Sequence, residues 1–408
     1  MVNINFDEHF EELNLSPEDK IEAELMFSER GVEGYLEYLK DKQEQWKTVP
    51  LNVGVIGKSG CGKSTFINSA RGMFADDEGA AAVGCGETTK VATPYMHPDN
   101  PLLKFWDLPG VGTFNFRREN YLTQVAFEKD YDFYVILAES RFTEDDGWLG
   151  EEISKRKKKF YYVRTKMGSA IENDKKAYRN KQHYNVEQTI ATVRNEINKN
   201  LKEIQCEAPY FLIDSYERDK FEFNLLEQRL VSDLPTLKKE AMVLTLGVFS
   251  EQMVKKKMEI LHQRIWKISM LSGAIGAVPI PGMSFIADLT LISSESKFYL
   301  KTLGLDKKSI NRLSEVSGKS AQELSAIVTE HVPMQILTMN GAKELLKLIP
   351  GPAASQIAEE FFKTVPILGS IIAVPLSFGA TYMALKWILD RMEQAATELI
   401  KAAFEEFK

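Results

Sequence analysis

The spacing of apolar residues changes twice along the chain and divides it into three parts. Before residue 49 the apolar positions recur at helical spacing, and Ser16 followed by Pro17 and two acidic residues is typical of a helix start. From Leu51 short β-rich runs alternate with helical stretches, whereas after about residue 237 only helical patterns remain. The sequence therefore predicts a helical lead-in, an α/β domain and a second helical region.

The β-rich runs predict a mostly parallel sheet with helices on both faces, because strands that alternate with helices are typical of βαβ units. They are residues 51–56, 103–106, 132–137, 160–163 and 210–213. We predict an α/β domain at residues 49–234, inserted between helical segments at 1–48 and 235–408. The two helical segments are expected to pack together as one all-α domain.

Composition and charge indicate which broad classes of protein this chain can belong to. The 408 residues are 44% hydrophobic and 27% charged, which fits a globular protein, and the net charge of −7 offers no electrostatic basis for binding nucleic acid. Cys61, Cys85 and Cys206 form neither a disulfide framework nor a zinc site, and residues 1–20 lack a secretory signal. We therefore expect a cytoplasmic protein that does not bind nucleic acid.

A complete phosphate-binding motif, GxxxxGKS, follows the first β-rich run and precedes a helical run. Its glycines let backbone N–H groups surround a phosphate, Lys63 reaches the β and γ oxygens, and the hydroxyl of Ser64 is a ligand for Mg²⁺. Lys58 is either a second phosphate contact or an exposed side chain. The predicted phosphate loop comprises Gly57, Lys58, Ser59, Gly60, Cys61, Gly62, Lys63, Ser64 and Thr65.

A second motif, DxxG, closes the next β-rich run at residues 107–110. Its spacing from the phosphate loop predicts that Asp107 holds Mg²⁺ through water and that the N–H of Gly110 senses the γ-phosphate. Between the two motifs lies Glu87-Thr88-Thr89, in a glycine-rich stretch. This is either a switch segment whose threonine completes the magnesium shell or an ordinary polar loop.

The expected base-recognition motif is Asn or Thr, then Lys, any residue and Asp, but here Thr165 and Lys166 are followed by Met and Gly168. The missing carboxylate would accept hydrogen bonds from the guanine N1–H and amino group, which adenine does not present in that arrangement. Guanine selectivity would then depend on Lys166 packing over the base, on the later loop Asp214-Ser215, or on Glu172 or Asp174.

Together these motifs resemble the immunity-related GTPases, the interferon-inducible GTPases of vertebrates, in their GKS-type branch. The resemblance covers nearly the whole chain and is most specific at residues 51–166. In the α/β part it rests on segments 51–53, 66–68, 87–89, 94–98, 106–112, 131–133, 160–166 and 233–235. In the helical part it rests on segments 279–282, 298–299 and 378–380.

The resemblance implies a dynamin-like GTPase that binds GTP, GDP and Mg²⁺, self-associates through its nucleotide face and acts at intracellular membranes in cell-autonomous defence. It also implies that Glu87 takes part in catalysis and that Thr89 binds magnesium. Independently of the resemblance, Val111 follows the DxxG motif, so no glutamine is present there to orient water. Catalysis would have to come from elsewhere, such as Glu87 or a partner molecule.

Two charge-free stretches, 268–287 and 364–385, are long enough to cross a bilayer but are interrupted by proline and glycine. We expect them to be buried helical cores, with reversible membrane contact and membrane spanning as the two alternatives. The sequence thus leaves two main functions open. One is a slow, Mg²⁺-dependent GTPase, peripherally associated with membranes; the other is a nucleotide-binding pseudo-GTPase that acts as a scaffold because Gly168 replaces the acid. A third is an ATPase with a relaxed base pocket.

Overall fold

The chain forms two units in the computed structural model. One unit is Lys47–Ser250, and the other combines the residues up to Trp46 with those from Glu251 onward. The structure describes residues 22, 25–26, 29–30, 34, 37–38, 40–84, 91–111, 116–125, 131–140, 143–178, 184–203, 208–276, 283–349, 352–354 and 375–404.

The first unit contains a sheet whose described strands run in the order β2-β3-β1-β4-β5-β6. All neighbours are parallel except β2 and β3, which are antiparallel. The strands are β1 (Leu51–Gly57), β2 (Thr93–His97), β3 (Asn100–Asp107), β4 (Phe133–Ala138), β5 (Lys159–Arg164) and β6 (Tyr210–Leu212). The predicted α/β class with a mostly parallel sheet is confirmed.

The strand pairing brings the carboxyl ends of the central strands to one edge of the sheet. Val55 of β1 lies opposite Asp107 of β3, and Gly57 lies opposite Leu137 of β4. Every residue of β4 is buried, as expected for a central strand that is covered on both faces. In open sheets of this kind, ligands bind just beyond the carboxyl ends of the strands, where the loops begin.

Helices follow most strands of this unit, as the alternating pattern predicts. They are α1 (Lys63–Ala70), α2 (Arg118–Gln124), α3 (Glu144–Lys155), α4 (Met167–Ala177), α5 (Val186–Glu203), α6 (Phe223–Ser232) and α7 (Thr236–Thr245). The unit ends at Ser250, beyond the boundary of 234 predicted from the sequence. The difference arises from α7, because Thr245 bonds Asn100 at the start of β3, with 3.1 Å between their Oγ1 and Nδ2 atoms.

The described part of the second unit contains helices joined by short loops and no strand, as predicted for the chain after residue 237. Its main helices are α8 (Glu251–Gly276), α9 (Met283–Thr302), α10 (Lys307–Ser317), α11 (Ala321–His331), α12 (Met339–Lys347) and α13 (Pro375–Phe404). Residues before Lys47 join this unit, where Gln43 donates to Glu295 of α9 at 3.0 Å.

The two charge-free stretches are only partly described. Residues 268–276 lie in α8, residues 283–287 lie in α9 and residues 375–385 lie in α13. The side chains of Ile268, Leu271 and Leu385 are buried, as expected, whereas those of Phe285 and Ile286 are exposed, so the first stretch is not buried throughout. Residues 277–282 and 364–374 lie outside the described residues. Among the helices that the structure describes, none combines the length and the apolar composition needed to cross a bilayer.

Candidate functional site

The loop between β1 and α1 has the backbone conformation of a phosphate loop. Gly60 has φ of 82° and Gly62 has φ of 94°, a left-handed region that glycine adopts without strain. A Cβ at Gly57 would lie 2.4 Å from the carbonyl oxygen of Leu137 and 2.6 Å from Cys61 Sγ. Glycine is therefore required at these positions for the loop to turn directly from β1 into the first turn of α1.

The Lys63 side chain is buried and folds back over this loop. Its Nζ donates to the carbonyl oxygens of Gly57 at 3.0 Å and Lys58 at 3.3 Å, which places a cation against the backbone of the loop. The Lys58 side chain is exposed, in agreement with one of the two alternatives for it. Burial raises the pKa of the Cys61 thiol to about 11, so Cys61 is a protonated packing residue at neutral pH.

The DxxG turn lies directly against the phosphate loop. Asp107 is buried at the carboxyl end of β3, and the N–H of Leu108 donates to Val55 O at 2.9 Å. A Cβ at Gly110 would lie 2.7 Å from Gly57 O and 3.2 Å from Lys58 Cα. Only a glycine at residue 110 lets the DxxG turn approach the phosphate loop this closely. Lys63, in the phosphate loop, and Asp107, which begins the DxxG turn, therefore lie at the same edge of the sheet.

The loop after β5 is joined to the other side of the phosphate loop. Thr165 Oγ1 donates to Cys61 O at 2.7 Å, and Lys166 Nζ donates to Gly60 O at 2.7 Å. Lys166 also pairs with Glu139, which follows β4 and which sequence reasoning missed. The base-recognition residues predicted from the sequence, Thr165 and Lys166, are thus held next to the phosphate loop.

The start of α4 contacts the loop after β6 at the residue that replaces the expected acid. The N–H of Gly168 donates to Asp214 Oδ2 at 3.0 Å, and the N–H of Tyr216 donates to Asp214 Oδ1 at 3.0 Å. A Cβ at Gly168 would lie 3.0 Å from Glu217 Oε2 and 3.1 Å from Asp214 Oδ2. Two carboxylates therefore border the space that an aspartate side chain at residue 168 would enter.

Arg218 anchors this loop to the core of the unit. Its side chain is buried, its Nη2 lies 2.7 Å from Glu227 Oε1, and its Nη1 donates to the carbonyl oxygen of Ser69 at the end of α1. Its guanidinium also lies 4.1 Å from the ring centroid of Phe223. The loop that carries Asp214 and Glu217 is consequently fixed to the helix that follows the phosphate loop.

Most of the predicted site residues fall within the described structure and converge at this edge of the sheet. The contacts above involve Gly57, Lys58, Gly60, Cys61, Lys63, Gly110, Thr165, Lys166 and Asp214. Ser59, Gly62, Ser64 and Thr65 lie in the phosphate loop or the first turn of α1, Asp107 ends β3, and Ser215 follows Asp214 in the same loop. Glu87, Thr88 and Thr89 lie outside the described residues, so their predicted roles stay predictions. Of the other carboxylates considered for the base, Asp174 accepts from Thr189 Oγ1 at 2.5 Å.

Glu217 was missed by sequence reasoning. It lies in the charged run Tyr216-Glu217-Arg218-Asp219-Lys220, which is typical of a solvated loop. The departure at Gly168 was the only available signal, because it implied that some other acid could compensate. Which carboxylate lies near Gly168 depends on how the loop after β6 folds over α4, and spacing along the chain does not encode that approach.

A protein family and several of its members match most of the chain. The family model described as "Interferon-inducible GTPase (IIGP)" matches residues 16–363. "Interferon-gamma-inducible GTPase 10" of Mus musculus is 34% identical over 355 residues, which cover 86% of this chain and 81% of that protein. "Interferon-inducible GTPase 5" of Rattus norvegicus is 32% identical over 365 residues, covering 88% and 77% of the two chains.

Solved structures show weaker likenesses. A GTP-binding protein from Sulfolobus solfataricus in complex with GDP has 15% identity and a TM-score of 0.29, covering 52% of this chain and 65% of its own. One chain of an oligomerised bacterial dynamin pair has 12% identity and a TM-score of 0.35, covering 99% and 77% of the two chains.

Proposed function

This chain belongs to the interferon-inducible GTPase family, and from that premise we propose that it binds GTP and hydrolyses it to GDP with Mg²⁺. The observation that carries the proposal is the approach of Gly110 to Gly57, which joins the phosphate loop to the DxxG turn. Lys63 and Asp107 are thereby brought to the same edge of the sheet. Enzymes that hold a nucleoside triphosphate and its metal ion use a lysine and an aspartate placed in this way.

Each described residue has a distinct part in this proposal. Lys63 exchanges its bonds to loop carbonyls for the β and γ oxygens, and the N–H of Gly110 donates to the γ-phosphate. Ser64, in the first turn of α1, and Asp107, at the end of β3, offer the oxygen ligands that Mg²⁺ prefers. Bound Mg²⁺ would neutralise the charge that develops on the phosphate oxygens. Thr89 would add a further oxygen.

We propose Glu87 as the group that orients or activates the attacking water. Support comes from the family resemblance and from Val111, since the residue after the DxxG turn offers no side chain that could hydrogen-bond to water. Glu87→Ala is expected to reduce GTP hydrolysis strongly while GDP binding is retained. An unchanged rate at matched protein concentration would exclude Glu87 from catalysis.

A turnover assay tests whether the protein is an enzyme. Purified protein is incubated with GTP and Mg²⁺, and phosphate release is compared with that of Lys63→Ala, which removes the cation of the phosphate loop. We expect the parent protein to release phosphate and the variant to show only the uncatalysed rate. Chelation of Mg²⁺ should have the same effect as the substitution. No release from either protein would reject the GTPase proposal.

The replacement at Gly168 favours a second candidate, a nucleotide-binding scaffold with weak hydrolysis or relaxed base selectivity. A thermal-shift titration with GDP, GTP, ADP and ATP separates the candidates, because a ligand that binds only the folded state stabilises it by about 2.7 kcal/mol at a hundredfold excess over Kd. We expect guanine nucleotides alone to stabilise the protein. An equal response to both bases would favour the scaffold or a relaxed nucleotidase.

We further propose that the protein self-associates through its nucleotide face and acts peripherally at intracellular membranes in cell-autonomous defence, with the cytoplasm as its compartment. Support comes from the family resemblance. If two nucleotide faces must meet for catalysis, the specific activity should rise with protein concentration. A specific activity that is constant over a hundredfold range of concentration would reject catalysis through self-association.

A further inference from the structure

The chain lacks the aspartate that follows Lys166 by two residues in the expected motif, yet guanine recognition needs an acceptor near that place. Guanine presents an N1–H and an amino group side by side, and a carboxylate accepts both. Adenine instead presents an acceptor at N1, which a carboxylate repels. A protein that selects guanine therefore needs an acceptor at this point, and a carboxylate from any nearby segment can accept both hydrogen bonds.

The place of the base is set by contacts that do not depend on the missing residue. Lys166 Nζ is bonded to Gly60 O, and Thr165 Oγ1 is bonded to Cys61 O, so both side chains lie beside the phosphate loop. Gly168 follows in the first turn of α4. The edge of a base that packs against Lys166 must face the residues around Gly168.

Two side chains from another loop already border this space. A Cβ at Gly168 would lie 3.0 Å from Glu217 Oε2 and 3.1 Å from Asp214 Oδ2, and these are its nearest neighbours among the described residues. The carboxylate of an aspartate starts one bond beyond its Cβ. An oxygen of Glu217 and an oxygen of Asp214 therefore lie close to where the oxygens of the missing aspartate would be.

The carboxylates of Asp214 and Glu217 differ in their exposure and in the hydrogen bonds that they already accept. Asp214 is buried, and each of its oxygens accepts a backbone N–H, from Gly168 and from Tyr216. The Glu217 side chain is 38% exposed; its Oε1 accepts from Lys220 Nζ at 2.6 Å, while Oε2 faces Gly168. Asp214 thus holds the loop against α4, and Glu217 has the exposure needed to meet a ligand.

We propose that Glu217 supplies the carboxylate that reads guanine in place of the missing aspartate, and that Asp214 positions it. This assignment rests on the proposed function, since it deepens the nucleotide site described above. The neighbouring Arg218, buried and bonded to Glu227, fixes the chain next to Glu217. The N1–H and amino group of guanine complement a carboxylate at this point, whereas the N1 acceptor of adenine is repelled by it.

Xanthosine diphosphate provides a direct test, because xanthine carries a carbonyl where guanine carries the amino group. The amide of Glu217→Gln can donate to that carbonyl, whereas a carboxylate cannot. We expect Glu217→Gln to bind GDP about tenfold to a hundredfold more weakly than the parent, as for loss of a charged hydrogen-bond partner. The same variant should bind xanthosine diphosphate more tightly than the parent does.

Three further variants make the test specific. Glu203→Gln removes an exposed carboxylate that pairs with Lys199 on α5, and it should leave both affinities unchanged. Asp214→Asn should weaken GDP binding without any gain for xanthosine diphosphate, since its amide faces backbone donors instead of the ligand. Gly168→Asp, added to Glu217→Gln, should restore the preference for GDP because it returns the acid to the expected position.

The outcomes separate this inference from the proposed function. If the parent binds none of the nucleotides, the proposed function fails and the inference fails with it. If the parent binds GDP and ADP equally, nucleotide binding stands and the guanine-reading role of Glu217 is rejected. A parent that prefers GDP, with a Glu217→Gln variant that keeps this preference, also overturns the assignment. A gain of xanthosine binding in Asp214→Asn would transfer the role to Asp214.

Discussion

At the scale of single residues, Gly110 is the point where the DxxG turn touches the phosphate loop, about fifty positions earlier in the chain. Its neighbours are backbone atoms of Gly57 and Lys58, which cannot move aside as a flexible side chain can. We expect Gly110→Ala to cost about 1–3 kcal/mol of unfolding free energy through overpacking. The displaced turn should also slow GTP hydrolysis by about tenfold to a hundredfold. Single-turnover phosphate release and urea unfolding measure the two effects.

Gly150→Ala is the matched control for this prediction. A Cβ at Gly150, in α3, would meet the ring of Phe160 at 2.9 Å, so the variant overpacks the core of the same unit. It should lose stability while each folded molecule hydrolyses GTP at the parent rate. If Gly110→Ala also kept the parent rate, the approach of the two motifs would have no part in catalysis.

At this scale, contacts between neighbouring residues of the chain are predictable and contacts between distant loops are not. The phosphate loop could be predicted because its glycines, Lys63 and Ser64 are contiguous, and local backbone conformation determines their arrangement. The partnership of Glu217 with Gly168 could not be predicted, because it depends on two loops meeting across α4 and β6. The roles of Glu87 and Thr89 stay predictions, since these residues lie outside the described structure.

At the scale of elements, a buried ion pair joins α8 and α9. Arg264 Nε lies 2.9 Å from Glu295 Oε2, and both side chains are 7% exposed. Arg264 also donates to Gln43 O at 2.9 Å. This bond attaches the segment before Lys47 to α8. Arg264→Ala leaves Glu295 charged and buried, so we expect a loss of about 3–5 kcal/mol in urea unfolding.

A double variant shows whether that loss comes from the unpaired charge. Arg264→Met with Glu295→Gln removes both charges and keeps an acceptor for Gln43, so most of the stability should return. Lys347→Ala, which breaks an exposed pair with Glu344, should cost less than about 1 kcal/mol. A cost for Arg264→Ala as small as that of Lys347→Ala would contradict the prediction.

A buried carboxyl group links α9 to α8 and α13. Ser272 Oγ donates to Asp288 Oδ1 at 2.6 Å, and Ser377 Oγ donates to Oδ2 at 2.5 Å. Burial raises the pKa of Asp288 above its usual value of 3.8, although the two hydroxyl groups act in the opposite direction. The folded protein therefore retains this proton at a pH where the unfolded chain has lost it.

The contribution of Asp288 to stability should consequently fall as the pH rises. It is greatest below about pH 4, decreases between the unfolded and folded pKa values, and is constant above them. Asp288→Asn removes this dependence, so the stability of the variant relative to the parent should rise over the range from about pH 4 upward. Thermal or urea unfolding of both proteins across this range tests the prediction, and a pH-independent difference would reject it.

Most elements of the sheet could be predicted, whereas β2 could not. Strands such as β4 are continuous apolar runs because they are buried on both faces. In contrast, β2 contains Pro94 and is mostly exposed at the edge of the sheet, so it has no apolar run. Its pairing with β3 comes from tertiary contact, which the hydrophobic pattern does not encode.

At the scale of the whole molecule, each unit has its own buried core and should respond separately to nucleotide. GDP at a hundredfold excess over Kd stabilises the unit that binds it by about 2.7 kcal/mol. We expect amide hydrogen exchange to slow in β1, β3 and β4 and to stay unchanged in α8 and α13. Equal slowing in α8 and α13 would mean that the two units unfold as one.

The bond between Gln43 and Glu295 joins residues that are 252 positions apart. On a ribosome that adds about 5–20 residues per second, α9 emerges roughly 12–50 s after residue 46. The unit at Lys47–Ser250 can fold within that interval, but the apolar side chains of Tyr38 and Trp46 have no partner helices until later. Until α9 has been made, the segment around Tyr38 and Trp46 should therefore stay exposed on newly made chains and offer apolar side chains to chaperones.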